Sequence, residues 1–224
     1  MIESPDGKKL YISPQEVFTY SFQLADKVLA DKEFFLNKHG ELFIQFEERE
    51  KPLVKLFLDA LWRGGALFGI IMQELFSYAG IPSDHIASRT SRYIDDAQHS
   101  AKEVIDVHSI SYIVKNTNAE DKMIIVDDTY DTGLSVEEVK KKLRMRCRKN
   151  MPHDVRTAVI FYKPDNLAEG VEPPHYYLFE TDKWIVYPWE IKDMTPEIME
   201  EILGAEVREI CERNRDRYTL LAGK

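Results

Sequence analysis

The segment MIIVDDTYDTGLSVEEV, residues 123–139, constrains the fold of this chain more than any other stretch. Its first four residues are apolar, as in a buried strand, and they run directly into Asp127 and Asp128. Asp131 follows after two further residues, and a Thr-Gly pair then precedes a helix-like pattern. A strand that leads through an acidic loop into a helix is typical of α/β folds.

The helix predicted after Gly133 has its charges ordered as a helix dipole favours. One face is apolar and carries Val136, Val139 and Leu143. Two glutamates lie in the first turn and three lysines follow them, which complements the positive N-terminal end and the negative C-terminal end of a helix. We therefore expect a helix to begin directly after the acidic loop.

The remaining periodic segments extend the same architecture. They predict a helix over about 14–30, a strand, turn and helix through LWRGG to about Gly80, strands at HIAS, 107–114, 156–163, HYYLFE and WIVYPW, and a C-terminal helix over about 195–215. Strands that alternate with helices predict an α/β domain with a central, mainly parallel sheet flanked by helices. Because no repeat or linker divides the sequence, we expect a single domain, residues 1–224.

Composition narrows the class of protein. Of 224 residues, 44% are hydrophobic and 31% are charged, which suits a full core and a soluble surface. The longest apolar run, about residues 66–72, is too short to cross a bilayer, and the polar N-terminal segment lacks a signal-peptide pattern. Cys147 and Cys211 are too few for a disulfide framework. We therefore expect a cytoplasmic protein that binds no membrane, and the net charge of −9 argues against general nucleic-acid binding.

The loop between strand and helix has the features of a phosphate site. Ligands of open α/β sheets bind at the carboxyl ends of strands, and a helix N-terminus offers free amides and a positive dipole end. The backbone from Asp131 through Thr132, Gly133 and Leu134 to Ser135 supplies such amides, and the glycine allows close approach. Neither the GxxxxGK[ST] phosphate loop nor the GxGxxG dinucleotide pattern is present.

The acid pair before this loop needs its own explanation. Asp127 and Asp128 suit hydrogen bonds from two vicinal hydroxyls, as a ribose provides, or a hydrated Mg²⁺ beside phosphate oxygens. The alternative is a helix cap followed by a solvated acidic turn. Asp-Asp-x-x-Asp-Thr-Gly-x-Ser directly after a strand makes that alternative the weaker one, so we predict a site for a sugar phosphate with Mg²⁺.

VDDTYDTGLS closely resembles the phosphoribosyl pyrophosphate (PRPP) motif of type I phosphoribosyltransferases: apolar residues, two acids, two residues, then Asp-Thr-Gly-x-Thr/Ser. The resemblance covers about residues 11–192. It implies that the loop from Asp131 to Ser135 binds the 5′-phosphate of PRPP. It also implies that Asp127 and Asp128 contact the ribose hydroxyls and the waters of Mg²⁺.

A second segment, LWRGGALFG, is similar to the pyrophosphate loop of that family. By this resemblance Arg63 and Gly64 bind PRPP, with Arg63 opposite the leaving pyrophosphate. A guanidinium offers a fixed charge and a fork of donors for such a group. Taken alone, an Arg-Gly-Gly turn is usually structural.

The segment VIFYKP…ETDKWIVYPWE resembles the purine-binding end of xanthine–guanine and hypoxanthine phosphoribosyltransferases. The resemblance implies that Trp184 stacks on the purine, that backbone groups of Ile185 read its exocyclic edge, and that Lys163 donates to the 6-oxo oxygen. Glu190 is a further metal ligand by resemblance alone. Taken singly, Trp184 is more often a plain core aromatic, and a lysine at the end of an apolar strand, such as Lys163, is usually solvated.

The family also has a mobile hood over PRPP. Ser91 and Tyr93 match its Ser/Tyr pair, and Arg92 lies between them. We expect a small hood that includes about 81–114 and 164–192. Such a lid excludes water from a reactive sugar cation. A homo-oligomer, dimer or tetramer, is the usual state in related families.

These resemblances imply a purine phosphoribosyltransferase of purine salvage that transfers the phosphoribosyl group from PRPP to hypoxanthine, guanine or xanthine with Mg²⁺ as cofactor. Asp131 is the expected general base, and Arg63 stabilises the leaving group. The alternative is a non-catalytic sensor of PRPP or nucleotides on the same fold. A pyrimidine acceptor is disfavoured by the Lys163 and Trp184 segments, and an aspartyl-phosphate hydrolase would need Asp-x-Asp.

Overall fold

The computed structural model describes residues 1–36, 54–95 and 102–222. In chain order, strands β1 to β9 of these residues span Ile2–Glu3, Lys9–Tyr11, Leu56–Trp62, Ser83–Asp95, Lys102–His108, Lys122–Tyr130, Asp154–Tyr162, Tyr176–Glu180 and Trp184–Val186. Helices α1 to α6 span Pro14–Leu29, Gly64–Tyr78, Ser111–Asn116, Leu134–Cys147, Pro196–Leu203 and Ala205–Ala222. Among the described helices, none combines the length and the apolar composition that a membrane span requires.

The chain forms two compact units. The larger contains Tyr20–Asp182, and the smaller combines Met1–Thr19 with Lys183–Lys224. The predicted single domain, residues 1–224, with a hood that includes about 81–114 and 164–192, stays a prediction. The segment 81–114 belongs to the larger unit because its strands β4 and β5 extend the sheet that contains β3.

The larger unit is built on a sheet of six strands in the order β5-β4-β3-β6-β7-β8. Every neighbouring pair is parallel except β4 and β5, which are antiparallel. The predicted α/β class with a mainly parallel sheet is therefore confirmed. Buried apolar side chains of β3, β6 and β7 form the centre, as expected for strands covered on both faces.

Helix α4 covers one face of this sheet with the apolar stripe that the sequence predicted. Val136, Val139 and Leu143 are buried in one core cluster with Met123 and Ile125 of β6. The helix begins at Leu134, directly after Gly133, as expected.

The register of the central strands brings two candidate loops to the same edge. Ala60 of β3 pairs with Val126 of β6, so both strands reach that edge together. The Arg-Gly-Gly turn begins directly after Trp62, the last residue of β3, and the acid pair follows Val126 directly. The two motifs, sixty residues apart in sequence, are therefore neighbours at the carboxyl end of the sheet.

Strand β6 is longer than the sequence suggested. The predicted strand ended at Val126, with residues 127–135 as a loop, but β6 continues to Tyr130. Asp127 and Tyr130 pair with Val159 and Tyr162 of β7. β7 continues past the residue that pairs with Val126 and supplies further pairing partners for β6. The acid pair therefore lies in the last part of β6.

The prediction of a strand over 107–114 is wrong. Strand β5 ends at His108, Ser109 has a φ of 69°, and helix α3 follows. Ile110 and Ile113 are both buried, and their spacing of three fits a helix rather than a strand. HIAS in turn is only part of β4, which continues as a strand to Asp95.

The smaller unit contains a sheet of three strands in the order β1-β2-β9, with β1 antiparallel and β9 parallel to β2. Its apolar cluster contains Tyr11, Val186, Met194, Met199 and Ile202. Helix α1 begins in this unit with a capping box. The amide of Glu16 donates to Ser13 Oγ at 3.2 Å, and the amide of Ser13 donates to Glu16 Oε2 at 2.9 Å.

The predicted C-terminal helix over 195–215 is two helices. Thr195 caps α5, since its side chain accepts a hydrogen bond from the amide of Ile198. Gly204 then ends α5 with a φ of 91°, a conformation that favours glycine, and α6 begins at the next residue.

Candidate functional site

The acid pair forms an electrostatically costly centre at the end of β6. Asp127 Oδ1 accepts from the amide of Asp128 at 2.9 Å, and Asp128 Oδ1 accepts from the amide of Thr129 at 2.6 Å. Burial and the neighbouring Asp128 charge raise the pKa of the Asp127 carboxyl well above its ordinary value. A site that holds two such acids together suits a ligand that brings hydroxyl donors or a cation.

The Arg-Gly-Gly turn lies against this pair. A Cβ on Gly64 would sit 1.6 Å from Asp128 Oδ2, and a Cβ on Gly65 would sit 2.3 Å from the carbonyl oxygen of Val126. Both positions therefore require glycine. The exposed Arg63 directly precedes α2, after a cis peptide bond from Trp62. The structure thus joins two motifs that the sequence only placed in the same family pattern.

The loop after β6 has the form of an anion cradle. Gly133 has a φ of 74° and is the N-cap of α4, where glycine has no side chain to occupy the helix end. A Cβ there would lie 2.6 Å from Val171 Cγ1 and 2.7 Å from the Tyr130 ring. Leu134 is exposed, and Thr132 and Ser135 are half-buried, so the first turn of α4 is open to solvent.

Tyr130 supports this cradle from below, a role that the sequence did not indicate. Its side chain is buried, and its hydroxyl donates to the carbonyl oxygen of Glu172 at 2.9 Å. Burial, followed by the charge of Glu137, raises the pKa of the Tyr130 hydroxyl. The hydroxyl therefore remains a donor and ties the loop to the segment after β7.

The predicted general base and the predicted purine donor are neighbours. Lys163 follows β7, its side chain is buried, and its Nζ lies 3.7 Å from Asp131 Oδ2. Its amide donates to the carbonyl oxygen of Tyr130 at 2.9 Å. Asn166, which no sequence pattern indicated, donates from Nδ2 to Asp131 Oδ1 at 2.7 Å.

A pocket opens beside these side chains within the larger unit. It is lined by Lys163, Pro164, Asp165, Asn166, Glu180, Thr181 and Asp182. Lys163 is therefore in contact with both Asp131 and a cavity, which is the position that a base-recognising donor needs.

The predicted purine-stacking residue lies in the smaller unit. Trp184 is 55% exposed on β9, at the edge of the small sheet, and Ile185 is buried. The amide of Trp184 donates to the carbonyl of Lys8, and the carbonyl of Val186 accepts from Ile12, so both neighbours of Ile185 face β2. By strand alternation, the amide and carbonyl of Ile185 point away from β2.

Glu190 has a local structural contact. Its Oε2 accepts from the amide of Tyr187 at 3.1 Å, and the amide of Glu190 donates to the carbonyl of Tyr187 at 2.9 Å. The rings of Tyr187 and Trp189 stack in parallel, with centroids 4.9 Å apart. Its metal-binding role stays a prediction.

Across residues 1–36, 54–95 and 102–222, no group of three or more His, Cys, Asp or Glu side chains is arranged to hold a metal ion. Magnesium usually needs fewer protein ligands, because it keeps waters and binds one or two carboxylates together with substrate phosphates. Asp127 and Asp128 fit that role. A divalent cation stabilises two adjacent carboxylates, one of which has a raised pKa, by reducing their mutual repulsion.

The three predicted hood residues lie on a regular strand. Ser91, Arg92 and Tyr93 of β4 pair with residues 106, 105 and 104 of β5. Ser91 Oγ lies 3.3 Å from His108 Nε2. Residues 96–101 of the predicted lid lie outside the described residues, and the lid function stays a prediction.

A buried carboxyl, Asp59, lies in the centre of β3 and was missed by the sequence interpretation. Its Oδ1 accepts from the amide of Ser88 at 3.2 Å. Burial raises the pKa of Asp59 to about 6, although hydrogen bonds from Ser88 act in the opposite direction. A single acid within the apolar run LFLDALW gave no pattern that would have assigned it a role.

No protein-family model matches this chain, and no curated protein matches it. The solved structures that are similar to it include the following three. A purine phosphoribosyltransferase from Pyrococcus horikoshii is 24% identical with a TM-score of 0.53, over 82% of this chain and 94% of that one. A xanthine-guanine-hypoxanthine phosphoribosyltransferase from Helicobacter pylori is 16% identical with a TM-score of 0.56, over 82% and 95%.

The third is a hypothetical protein from Neisseria gonorrhoeae with bound ppGpp, 18% identical with a TM-score of 0.61, over 89% of this chain and 97% of that one. At such identities the similarity concerns the fold. The chain has a type I phosphoribosyltransferase-like fold, which confirms the predicted fold class.

Proposed function

We propose that this protein transfers the 5-phosphoribosyl group from PRPP to an oxopurine base, and that it releases a nucleoside monophosphate and pyrophosphate. The observation that carries the proposal is the contact of Gly64 with the Asp128 carboxylate. It joins the Arg63 turn, the acid pair and the α4 cradle at one edge of the sheet. PRPP presents a pyrophosphate, a ribose diol and a 5′-phosphate in that order.

Each part of PRPP has a chemical counterpart at this edge. The amides from Asp131 to Ser135 suit the 5′-phosphate at the N-terminus of α4. Asp127 and Asp128 suit the two ribose hydroxyls, since carboxylates accept such hydrogen bonds. Arg63 suits the pyrophosphate, because its guanidinium keeps its positive charge and binds two oxygens at once.

The proposal includes Mg²⁺, held by Asp127 and Asp128 together with oxygens of PRPP. Bound there, the ion supplies positive charge beside the oxygens of the leaving group.

The transfer breaks one bond to C1′ and forms another. Purine N9 attacks C1′ while the bond from C1′ to the pyrophosphate oxygen breaks, and its electron pair leaves on the pyrophosphate. Asp131 accepts the N7 proton, and the electron pair of the N7–H bond stays on nitrogen. Arg63 stabilises the negative charge that develops on the leaving group.

Three groups are proposed for purine recognition, Lys163 in the larger unit and Trp184 and Ile185 in the smaller unit, and each is proposed by itself. Lys163 donates to the 6-oxo oxygen, which favours hypoxanthine, guanine or xanthine over adenine. The exposed face of Trp184 supplies stacking area, and the outward amide and carbonyl of Ile185 supply directed hydrogen bonds. A role in purine salvage and a dimeric or tetrameric assembly are parts of the same proposal.

The test is pyrophosphate release from PRPP with hypoxanthine, guanine, xanthine, adenine, uracil or orotate supplied one at a time. The proposal predicts release with at least one oxopurine, loss of release when Mg²⁺ is chelated, and little release with adenine or pyrimidines. Release with orotate or uracil alone would reassign the acceptor to a pyrimidine.

A second candidate is a non-catalytic sensor of PRPP or nucleotides. It is favoured by the similar fold of the Neisseria gonorrhoeae protein, whose structure contains ppGpp. A sensor needs the anion cradle but no general base. Thermal protection by PRPP or ppGpp, without turnover on any base, would favour this candidate, whereas turnover excludes it.

A further inference from the structure

Both oxygens of the Asp131 carboxylate contact groups that follow strand β7. Asn166 Nδ2 donates to Oδ1 at 2.7 Å, and Lys163 Nζ lies 3.7 Å from Oδ2. An amide donates a hydrogen bond without adding charge, whereas an ammonium adds a full positive charge. The two neighbours therefore act differently: Asn166 fixes the direction of one oxygen, and Lys163 faces the other.

The position of Asn166 is set by the backbone of residues 163–172, here called the bracing segment. Asn166 ends a short 3₁₀ turn, Pro164–Asn166, and its backbone amide donates to the carbonyl oxygen of Lys163 at 3.2 Å. Farther along, the amide of Ala168 donates to the carbonyl of Thr132 at 3.1 Å. The bracing segment thus runs along the loop that precedes α4. Its contacts on either side of Asn166 restrict where the side-chain amide of Asn166 can point.

We propose that Asn166 is a positioning residue for the proton transfer to Asp131, an inference that rests on the proposed function. Because Oδ1 is held by the amide of Asn166, Oδ2 is the oxygen that takes the N7 proton. The N7–H bond breaks and an Oδ2–H bond forms, while the electron pair stays on N7. Without the amide the carboxylate rotates, and fewer of its orientations reach N7.

The experiment compares kcat and KM for Asn166→Ala and Asn166→Asp. Alanine removes the donor, so kcat falls roughly tenfold, about the value of one hydrogen bond to a charged group. Aspartate has the same shape but sets a second carboxylate against Asp131, so kcat falls by roughly 100-fold, more than with alanine. KM for PRPP stays within about threefold in the alanine variant, because the phosphate loop is intact.

The order of the two variants separates positioning from space filling. A residue that only fills space tolerates the isosteric aspartate and suffers more from alanine. Equal turnover of Asn166→Asp and wild type, or a larger loss with alanine, would overturn the proposal. Glu169→Gln is the matched control, because Glu169 is exposed in the same bracing segment, and its kcat should equal that of wild type.

A swapped pair gives a readout that does not depend on activity. In Asp131→Asn with Asn166→Asp, the amide and the carboxylate exchange places and the hydrogen bond is restored in reverse. The melting temperature falls by a few degrees in Asn166→Asp alone and recovers in the double variant. Turnover does not recover, because the carboxylate is then on the wrong residue.

The two readouts separate the inference from the proposed function. A wild-type protein without turnover on any base contradicts the proposed function, and the melting series then decides the pairing. Recovery in the swapped variant supports the Asn166–Asp131 contact, and no recovery overturns it.

Discussion

Acidic residues at the two ends of the central strands have pKa values that are shifted in opposite directions. At the carboxyl end of β6, Asp127 and Asp128 are adjacent, and burial together with the Asp128 charge raises the pKa of Asp127. At the amino ends of β6 and β7, Asp154 accepts from Lys122 Nζ at 2.9 Å and from Arg156 Nε at 3.0 Å. These hydrogen bonds outweigh burial and lower the pKa of Asp154.

At the amino ends of β6 and β7, the charged side chains form a network with several redundant contacts. Arg156 also contacts Asp31, donates to the Tyr176 hydroxyl at 2.8 Å, and lies 4.7 Å above the ring of Phe34. The pKa of Asp31 is lowered by Tyr176, Phe34 and Arg156 against the effect of burial. Charges that neutralise one another within the protein stabilise the fold, whereas the two adjacent acids at the other end repel one another, and this repulsion together with burial raises the pKa of Asp127.

The difference between the two ends indicates which end of such a sheet carries the candidate functional site. One end has its charges satisfied by neighbouring side chains and holds the strands in register. The other brings glycines, open amides and two adjacent acids close together, an arrangement that suits a bound ligand. Variants at the two ends should therefore separate activity from stability.

The largest expected effect is on activity at the carboxyl end. Asp131→Asn keeps the shape of the side chain but removes the proton acceptor, so kcat should fall by roughly 10²- to 10⁴-fold. The melting temperature should fall by a few degrees at most, because Asp131 is partly exposed, although the buried Lys163 ammonium loses the carboxylate that lies 3.7 Å away. Steady-state kinetics and thermal unfolding of the same preparation check both parts. Near-normal turnover would remove Asp131 from the mechanism.

A second effect at this end concerns close approach. Gly64→Ala places a methyl group 1.6 Å from the present position of Asp128 Oδ2, so the turn and the acid pair must separate. We expect kcat/KM for PRPP to fall by roughly 100-fold, the cost of a displacement of about 1 Å. Gly80→Ala is the control: its φ is 77° but nothing lies within 4 Å, so it should lose some stability and keep its activity. Equal losses in both variants would contradict the steric argument.

At the amino end the effect should fall on stability. Arg156→Leu leaves Asp31 and Asp154 without their guanidinium partner, and we expect a loss of about 2–3 kcal/mol in the free energy of unfolding. The value of kcat should change little, since the network lies at the opposite end of the strands. Urea unfolding and steady-state kinetics test the separation. A large loss of kcat with unchanged stability would reverse the comparison.

The smallest effect depends on pH and lies between the two ends. Asp59 is buried in β3 with its pKa raised to about 6, above its value in the unfolded chain. Since the folded state holds its proton more tightly, stability falls as pH rises from about 4 to about 6 and then stays level. Asp59→Asn keeps the acceptor for Ser88 and removes this loss, with a relative gain of about 1–3 kcal/mol at pH 7 compared with pH 4.

Unfolding curves at both pH values test this prediction. Wild type and Asp59→Asn should differ more at pH 7 than at pH 4. An equal difference at the two values would show that Asp59 does not titrate as its burial implies.

Much of the carboxyl end was predictable because its signals are local. The strand, the acid pair, Gly133 and the start of α4 follow one another in the sequence, and the capping box of α1 is equally local. What failed depended on partners distant in sequence. β6 is lengthened by β7, the contact of Asn166 with Asp131 joins two separate loops, and the strand predicted at 107–114 lacked any test of its pairing.

The network of charged side chains at the amino ends of β6 and β7 was not predicted at all, for the same physical reason. Arg156 and Asp31 are 125 residues apart in the sequence, and no spacing rule connects the two. The break of the C-terminal helix at Gly204 had a visible signal, since a glycine within a helical pattern often marks a C-terminus.

The most direct test of the central claim measures both products of one reaction. Wild-type protein with PRPP, Mg²⁺ and the best oxopurine should form one nucleoside monophosphate for each pyrophosphate released, and Asp131→Asn should form both far more slowly. Pyrophosphate without nucleotide, or neither product with any oxopurine, would contradict transfer at the carboxyl end of the sheet.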